Sequence, residues 1–271
     1  MSNETVAGIV YERPKVATLQ QSKLLVAEYA GRVAYDSFSN SEHQSIRDKD
    51  LENLDAESSE LLTSLAWVHH HHSVLEHLSV TYLIEGISRG VLQELVRHRL
   101  ASPTVRSTRY TMQDILNIFI AAELSNNYQF LHEKLTALNM FTVKGTMEEL
   151  EIYQLSQKLK LHMDTIGRIE FYSLALSKEA FSKVPDLPPD AEEIYKILSA
   201  CKKKRNVGDA FKYLVTDNWK TDLVLTINLR SLKNLLDLRD SGAAFVQIQW
   251  LAQEIKKATP QKFLKLIVKD K

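Results

Sequence analysis

Residues 223–238 constrain the fold most. Leu225, Leu229, Leu232 and Leu236 fall at i, i+4, i+7 and i+11. On a 3.6-residue period that is one apolar stripe, which predicts a helix burying its stripe in a core. The rest of the chain permits the same structure. It holds only 8 Gly and 6 Pro in 271 residues, so the two main helix interrupters are rare. Helical spacing recurs over residues 22–33, 51–67, 150–163, 166–181, 191–204 and 245–257, and more briefly over 209–215. Residues 78–84, rich in Val, Thr, Tyr and Ile, read as a strand. A turn is expected at 185–189. These patterns predict one α+β domain spanning residues 1–271, with helices dominant.

Charge and cysteine content exclude several function classes. Lys plus Arg equals Asp plus Glu, 34 each, so the molecule as a whole is not an electrostatic polynucleotide binder. The single cysteine, Cys201, allows no intrachain disulfide and indicates no oxidising compartment. The opening residues have no apolar run of the signal-peptide kind. No stretch approaches the ~20 apolar residues of a membrane span. A cytoplasmic protein without membrane or nucleic-acid partners is expected. There is no GxGxxG, no Walker A and no GxG, so a nucleotide here is not held in the Rossmann or P-loop manner.

Residues 94–110 read ELVRHRLASPTVRSTRY. They hold Arg97, Arg99, Arg106, Arg109 and His98, and no acidic residue stands between Leu95 and Gln113. Ser88 is placed to cap a helix whose stripe is Leu92, Leu95 and Val96. That helix carries Arg97, His98 and Arg99 near its end, and Pro103 is expected to stop it. A polar loop over 102–108 follows. Arginine forks grip phosphate bidentately, and the interleaved hydroxyls of Ser102, Thr104, Ser107 and Thr108 add donors. A solvated basic loop is the competing reading. Arg99 speaks against it, because seven residues after Leu92 it falls on the buried stripe, where an unpaired Arg is costly.

Three weaker constellations remain. His72 and Glu76 are four apart and would share a helical face, as a metal pair needs. The spacing matches neither HExxH nor HxxEH, and a polar helix end with hydrogen-bonded histidines is favoured. Asn228, Ser231 and Arg239 share a stripe with Leu235 between them, either facing a ligand or forming a solvated face. Cys201 precedes Lys202, Lys203, Lys204 and Arg205. Their charges favour a thiolate, yet the run also reads as an exposed helix end.

The run RHRLASPTVRSTRY resembles the signature of flavin-dependent thymidylate synthases: Arg-His-Arg, two residues, Ser, one, Asn, two, Ser, one, Arg, Tyr. It is met at Arg97, His98, Arg99, Ser102, Ser107, Arg109 and Tyr110, and it departs at Thr104, where the family usually has Asn. The resemblance extends to HSVLEH, to Gly86-Ile87-Ser88-Arg89, and to NLRSL with Arg239. It does not align over about 121–206, a longer helical middle region. It implies a helix-rich α+β domain with a small antiparallel sheet. It implies an enzyme that makes dTMP from dUMP, with 5,10-methylenetetrahydrofolate as carbon donor, NADPH as reductant and FAD as cofactor. It also implies a homotetramer with sites shared between subunits.

The implied roles are as follows. Ser73, Arg97, His98, Arg99, Val105, Asn228, Leu229, Arg230 and Asn234 would hold FAD, with His71 and Glu76 near it. Glu94, Leu95, Val96 and Arg97 would reach dUMP from a neighbouring subunit. Val105, Arg106, Ser107, Thr108 and Arg109 would wrap its phosphate, and Lys212 matches a basic position that contacts it. Arg239 would sit at the pyrimidine and favour ionisation of N3. The family's histidine shortly after this arginine is replaced by Ser241, Gly242 and Ala243. No metal is implied. Other classes stay open: a polynucleotide-binding module built on the Arg loop, a metal-dependent hydrolase built on residues 69–77, and a family member that binds FAD without turning over.

Overall fold

Alternation, not helical spacing, governs the first half of the leucine-rich segment. Lys220–Asn228 is a strand in which Leu223, Leu225 and Ile227 are buried and the residues between them are half-buried. Leu225 therefore faces inward on a period of two, and its distance of four from Leu229 is incidental. The helix is Leu229–Arg239, burying Leu229, Leu232, Leu235 and Leu236. Its start is set by Asn228, whose side-chain oxygen accepts from the Ser231 N–H at 2.8 Å, an N-cap that replaces one missing intrahelical partner.

The computed structural model describes residues 3–182, 189–202 and 207–269. The chain is helix-rich α+β, and its contacts fall into two units. The first holds Arg13–Val105 and the chain from Thr221 onward; the second holds Asn3–Glu12 and Arg106–Lys220.

The first unit is built on a four-stranded sheet in the order Lys15–Gln21, Ser79–Ser88, Lys220–Asn228, Ala101–Val105. The first pair and the last pair are antiparallel. Ser79–Ser88 extends the strand expected at 78–84, and its alternating Val80, Tyr82 and Ile84 are buried. They join Leu223, Leu225 and Ile227 and the stripes of Leu229–Arg239 and Val246–Ala258 in one core. Each fully buried Leu or Ile contributes about 1.5–3 kcal/mol. Tyr82 is wholly buried, its hydroxyl 2.7 Å from Thr259 Oγ1, and burial pushes its pKa up to about 12. The helix expected over 51–67 is only Glu60–Trp67, capped by Ser59. Upstream, Asp50 and Asp55 accept from the N–H groups of Glu52 and Ala56 at 3.1 and 3.0 Å, local bonds that compete with a helix. A final helix, Gln261–Ile267, was not anticipated.

The second unit pairs a three-stranded antiparallel sheet with helices. Its strands are Asn3–Val6, Ile9–Glu12 and Val143–Lys144, and the opening hairpin escaped the sequence reading. The helices include Thr108–Ser125, Tyr128–Ala137, Thr146–Ile166, Arg168–Ala175 and Ala191–Lys202. Gly167, at φ +100, separates Thr146–Ile166 from Arg168–Ala175, and the helix expected over 166–181 is broken further on, where Leu176 turns extended before the short helix Lys178–Phe181. Phe119, Phe171 and Phe211 centre the core, with Phe171 at 6.0 and 5.4 Å from the other two rings. The turn expected at 185–189 lies outside the described residues apart from Pro189, as does the Cys201 side chain. Among the described residues no helix is long and apolar enough to cross a membrane.

Candidate active site

Ser88 caps the helix Arg89–Leu95, accepting from the Val91 N–H at 3.1 Å. The helix ends at Leu95, earlier than expected. Val96 is exposed, and so are Arg97 and Arg99. The chain then turns through Leu100, at φ +61, into the strand Ala101–Val105. Pro103 is no helix stop; it sits opposite Leu225 on the edge of the sheet, where a missing N–H breaks no inner ladder. Arg99 is therefore not on a buried stripe, and the cost inferred for it does not arise.

One residue of this turn is buried. His98 Nε2 lies 3.1 Å from Arg239 Nε, and His98 is 8% exposed. The two are 141 positions apart, brought together by the helix Arg89–Leu95 and the end of the helix Leu229–Arg239. Arg239 Nη2 also pairs with Glu94 Oε2 at 3.0 Å, and Arg97 Nη1 lies 3.4 Å from Glu94 Oε1. The Arg239 Nε–H only donates, so His98 Nε2 must accept. The imidazole is then neutral, with its proton on Nδ1. Burial, and then the charge of Arg239, lower the His98 pKa from its usual 6.5.

The sign of the pH effect follows. Below about pH 6.5 the unfolded chain binds a proton that folded His98 still refuses. The stability owed to neutral His98 is complete above that value and is lost as pH falls through the depressed folded pKa. Protonation also sets two cations against each other. The melting temperature should drop more steeply between pH 7 and 5 in the wild type than in His98→Gln, and equal slopes would refute the assignment.

Ser73 and Glu76 lie in a 3₁₀ turn, His72–His77, that packs against the helix Leu229–Arg239. Glu76 is paired with Arg230, while Ser73 and Asn234 are exposed. In a 3₁₀ turn residues three apart eclipse, not four, so His72 and Glu76 do not share a face as a metal pair needs. His72 Nε2 instead lies 3.0 Å from the Ala66 carbonyl. Two residues assigned to ligands are core residues. Leu95 is 2% and Leu229 0% exposed, and the Leu229 N–H donates to the Leu78 carbonyl at 2.9 Å. Their side chains hold the fold. Val105 is half-buried in its strand, opposite Leu223.

The loop expected over 102–108 is instead the strand Ala101–Val105 followed, in the second unit, by a helix start. Ser107 caps Thr108–Ser125, accepting from the Arg109 N–H at 3.3 Å. Exposed N–H groups and the helix dipole favour an anion there, and Arg106 and Arg109 add charge. Arg109 Nε pairs with Asp209 Oδ1 at 2.7 Å. The helix expected over 209–215 is a short helix, Val207–Ala210, and a 3₁₀ turn, Lys212–Leu214, which leaves Lys212 exposed. Asp209 was missed by the sequence reading. The signal was available, since the acid-free run of residues 95–113 implies counter-charges from elsewhere in the chain.

A further polar cluster lies in the first unit. Ligand atoms of Glu28, Glu42 and His43 fall within 4.8 Å of one another. Glu28 is fully buried, its Oε1 accepting from Ser41 Oγ at 2.6 Å and Arg32 Nε at 3.1 Å, its Oε2 from Ser59 Oγ at 2.7 Å. Those donors, the Arg32 guanidinium among them, satisfy the carboxylate without a metal ion.

Comparison with known proteins agrees with the motif. The family model described as thymidylate synthase complementing protein matches residues 16–263. A protein of Campylobacter jejuni named flavin-dependent thymidylate synthase is 30% identical over 247 residues, covering 91% of this chain and 92% of the relative. One of the same name from Helicobacter pylori is 29% identical over 235 residues, covering 87% and 88%. A crystal structure of thymidylate synthase X from Helicobacter pylori, with FAD and dUMP, superimposes with a TM-score of 0.58 at 25% identity, covering 94% of this chain and 97% of that one. With its motif, its fold and nearly its whole length matched, the chain belongs to the thymidylate synthase complementing protein family.

Proposed function

We propose that this protein is a flavin-dependent thymidylate synthase, a methyltransferase that converts dUMP to dTMP with 5,10-methylenetetrahydrofolate, NADPH and FAD. The observation that carries the reading is the contact of Arg239 with His98 and Glu94, which joins the two parts of the family motif. A helix-terminal guanidinium held at two points is suited to stabilise negative charge developing at N3 of the pyrimidine. Glu94 and Arg97 reach dUMP from a neighbouring subunit of a homotetramer. Ser107, Thr108, Arg109, Arg106 and Lys212 hold its phosphate. Residues 1–271 act as one synthase domain with a longer helical middle region, and a cytoplasmic location suits a chain with one cysteine.

The residues present fit FAD. Arg97 and Arg99 are exposed, the Arg230 side chain is 55% exposed, and Ser73 and Asn234 add neutral donors, a set suited to a diphosphate without a glycine loop. FAD, when bound, supplies the redox chemistry between NADPH and the methylated pyrimidine. The chain's own residues bind, orient and carry charge. Nothing in this scheme requires a cysteine nucleophile.

The test is the visible absorption spectrum of the purified protein, repeated after FAD loading and desalting. A flavin spectrum that bleaches with NADPH is expected, followed by dTMP formation from dUMP and methylenetetrahydrofolate. A colourless protein that retains no FAD would overturn the reading.

A further inference from the structure

We propose that Asp209 is a positioning residue for Arg109, holding its guanidinium side-on so that the terminal nitrogens serve the phosphate of dUMP. This rests on the reading of Ser107 and Arg109 as the phosphate cradle.

Two adjacent residues engage Arg109 in different ways. The Asp209 carboxylate meets it through Nε, at 2.7 Å. An arginine fork has five N–H groups in fixed geometry, so a contact at Nε fixes the plane and leaves the terminal nitrogens for a bidentate grip. Gly208 meets the backbone. A Cβ at 208 would lie 2.5 Å from the Arg109 carbonyl oxygen and 2.7 Å from its Cα. Both atoms are backbone, so no side-chain movement relieves the clash. The glycine serves close approach, seating Val207–Ala210 directly on the first turn of Thr108–Ser125.

The pair contributes little as a stabilising salt bridge. The Arg109 and Asp209 side chains are 55% and 34% exposed, and solvent screens such pairs strongly. Its effect is geometric. It also has a cost, since a carboxylate beside a phosphate site repels the ligand. Removing the acceptor and removing the charge therefore have opposite consequences, which separates the proposal from a merely structural role.

The experiment is steady-state turnover of FAD-loaded enzyme against dUMP. Asp209→Ala should raise the dUMP KM about tenfold with kcat within about twofold, the mark of lost binding and not of lost chemistry. Asp209→Asn still accepts from Nε–H and should restore a KM within about threefold of wild type. Competition by deoxyuridine, which lacks the phosphate, should be unchanged in either variant. Asp209→Ala with an unchanged or lower KM overturns the proposal, as does Asp209→Asn no better than the alanine variant. Arg109→Ala separates the two levels. If it too leaves the dUMP KM unchanged, the phosphate cradle itself is misplaced.

Discussion

Arg239→Ala should lower the rate of dTMP formation about 10²–10³-fold, the usual cost of removing one preorganised charge from a transition state. The flavin should remain at least partly bound, because Arg239 is not itself among the residues assigned to FAD, most of which, in the turn His72–His77, at Arg97 and Arg99, and over Asn228–Asn234, do not depend on its side chain. The size of the effect follows from how Arg239 is held. Its Nε is fixed by His98 at 3.1 Å and its Nη2 by Glu94 at 3.0 Å, and its side chain is only 21% exposed. A preplaced charge in a partly desolvated setting needs no reorganisation during the reaction. Arg239→Lys should recover little, since a lysine has no fork with which to meet both partners. Single-turnover dTMP formation alongside flavin absorbance separates the outcomes. Normal dTMP formation by the alanine variant would remove Arg239 from the chemistry.

The second large effect is on stability. Glu28→Ala should destabilise the protein by about 3–5 kcal/mol, the range for breaking a buried ion pair by deleting one partner. Glu28 is 0% and Arg32 8% exposed. The deletion leaves Arg32 buried without its carboxylate and removes the acceptor used by Ser41 and Ser59. Ser41→Ala removes one donor and keeps the charge pair, so it should cost only about 1 kcal/mol. Chemical denaturation of both variants checks this. A loss below about 1 kcal/mol in Glu28→Ala would show that this cluster does not anchor the helix Leu25–Tyr35.

How much was legible can be judged residue by residue. Ser88 as a cap, the strand that ends at it, the polar and hydrogen-bonded character of His72, and the helix carrying Arg239 were all readable, because each is signalled by residue types within a short stretch of chain. The motif of residues 97–110 was readable for a different reason, since it is a fixed order of residue types. The errors occurred where two periods coincide or where neighbours decide. Leu225 fits both a helix and a strand pattern, and only its pairing beside Pro103 settles it. Pro103 reads as a helix stop and proves to be an edge-strand residue. Leu95 and Leu229, taken with their motif neighbours as ligand contacts, have side chains claimed by the core.

The sequence by itself determined the class of protein. Its leucine stripes and scarce glycines dictate a helix-rich core, and its Arg-His-Arg run dictates which family it resembles, since both are properties of local order and composition. Only the tertiary structure decided that His98 is buried against Arg239, that Glu94 shares that arginine, and that Asp209 and Gly208 close on Arg109. Those pairings join segments far apart in the chain, 141 positions for His98 and Arg239 and more for Glu94 and Arg239. Contacts at that range depend on how strands and helices pack, and no local period encodes them.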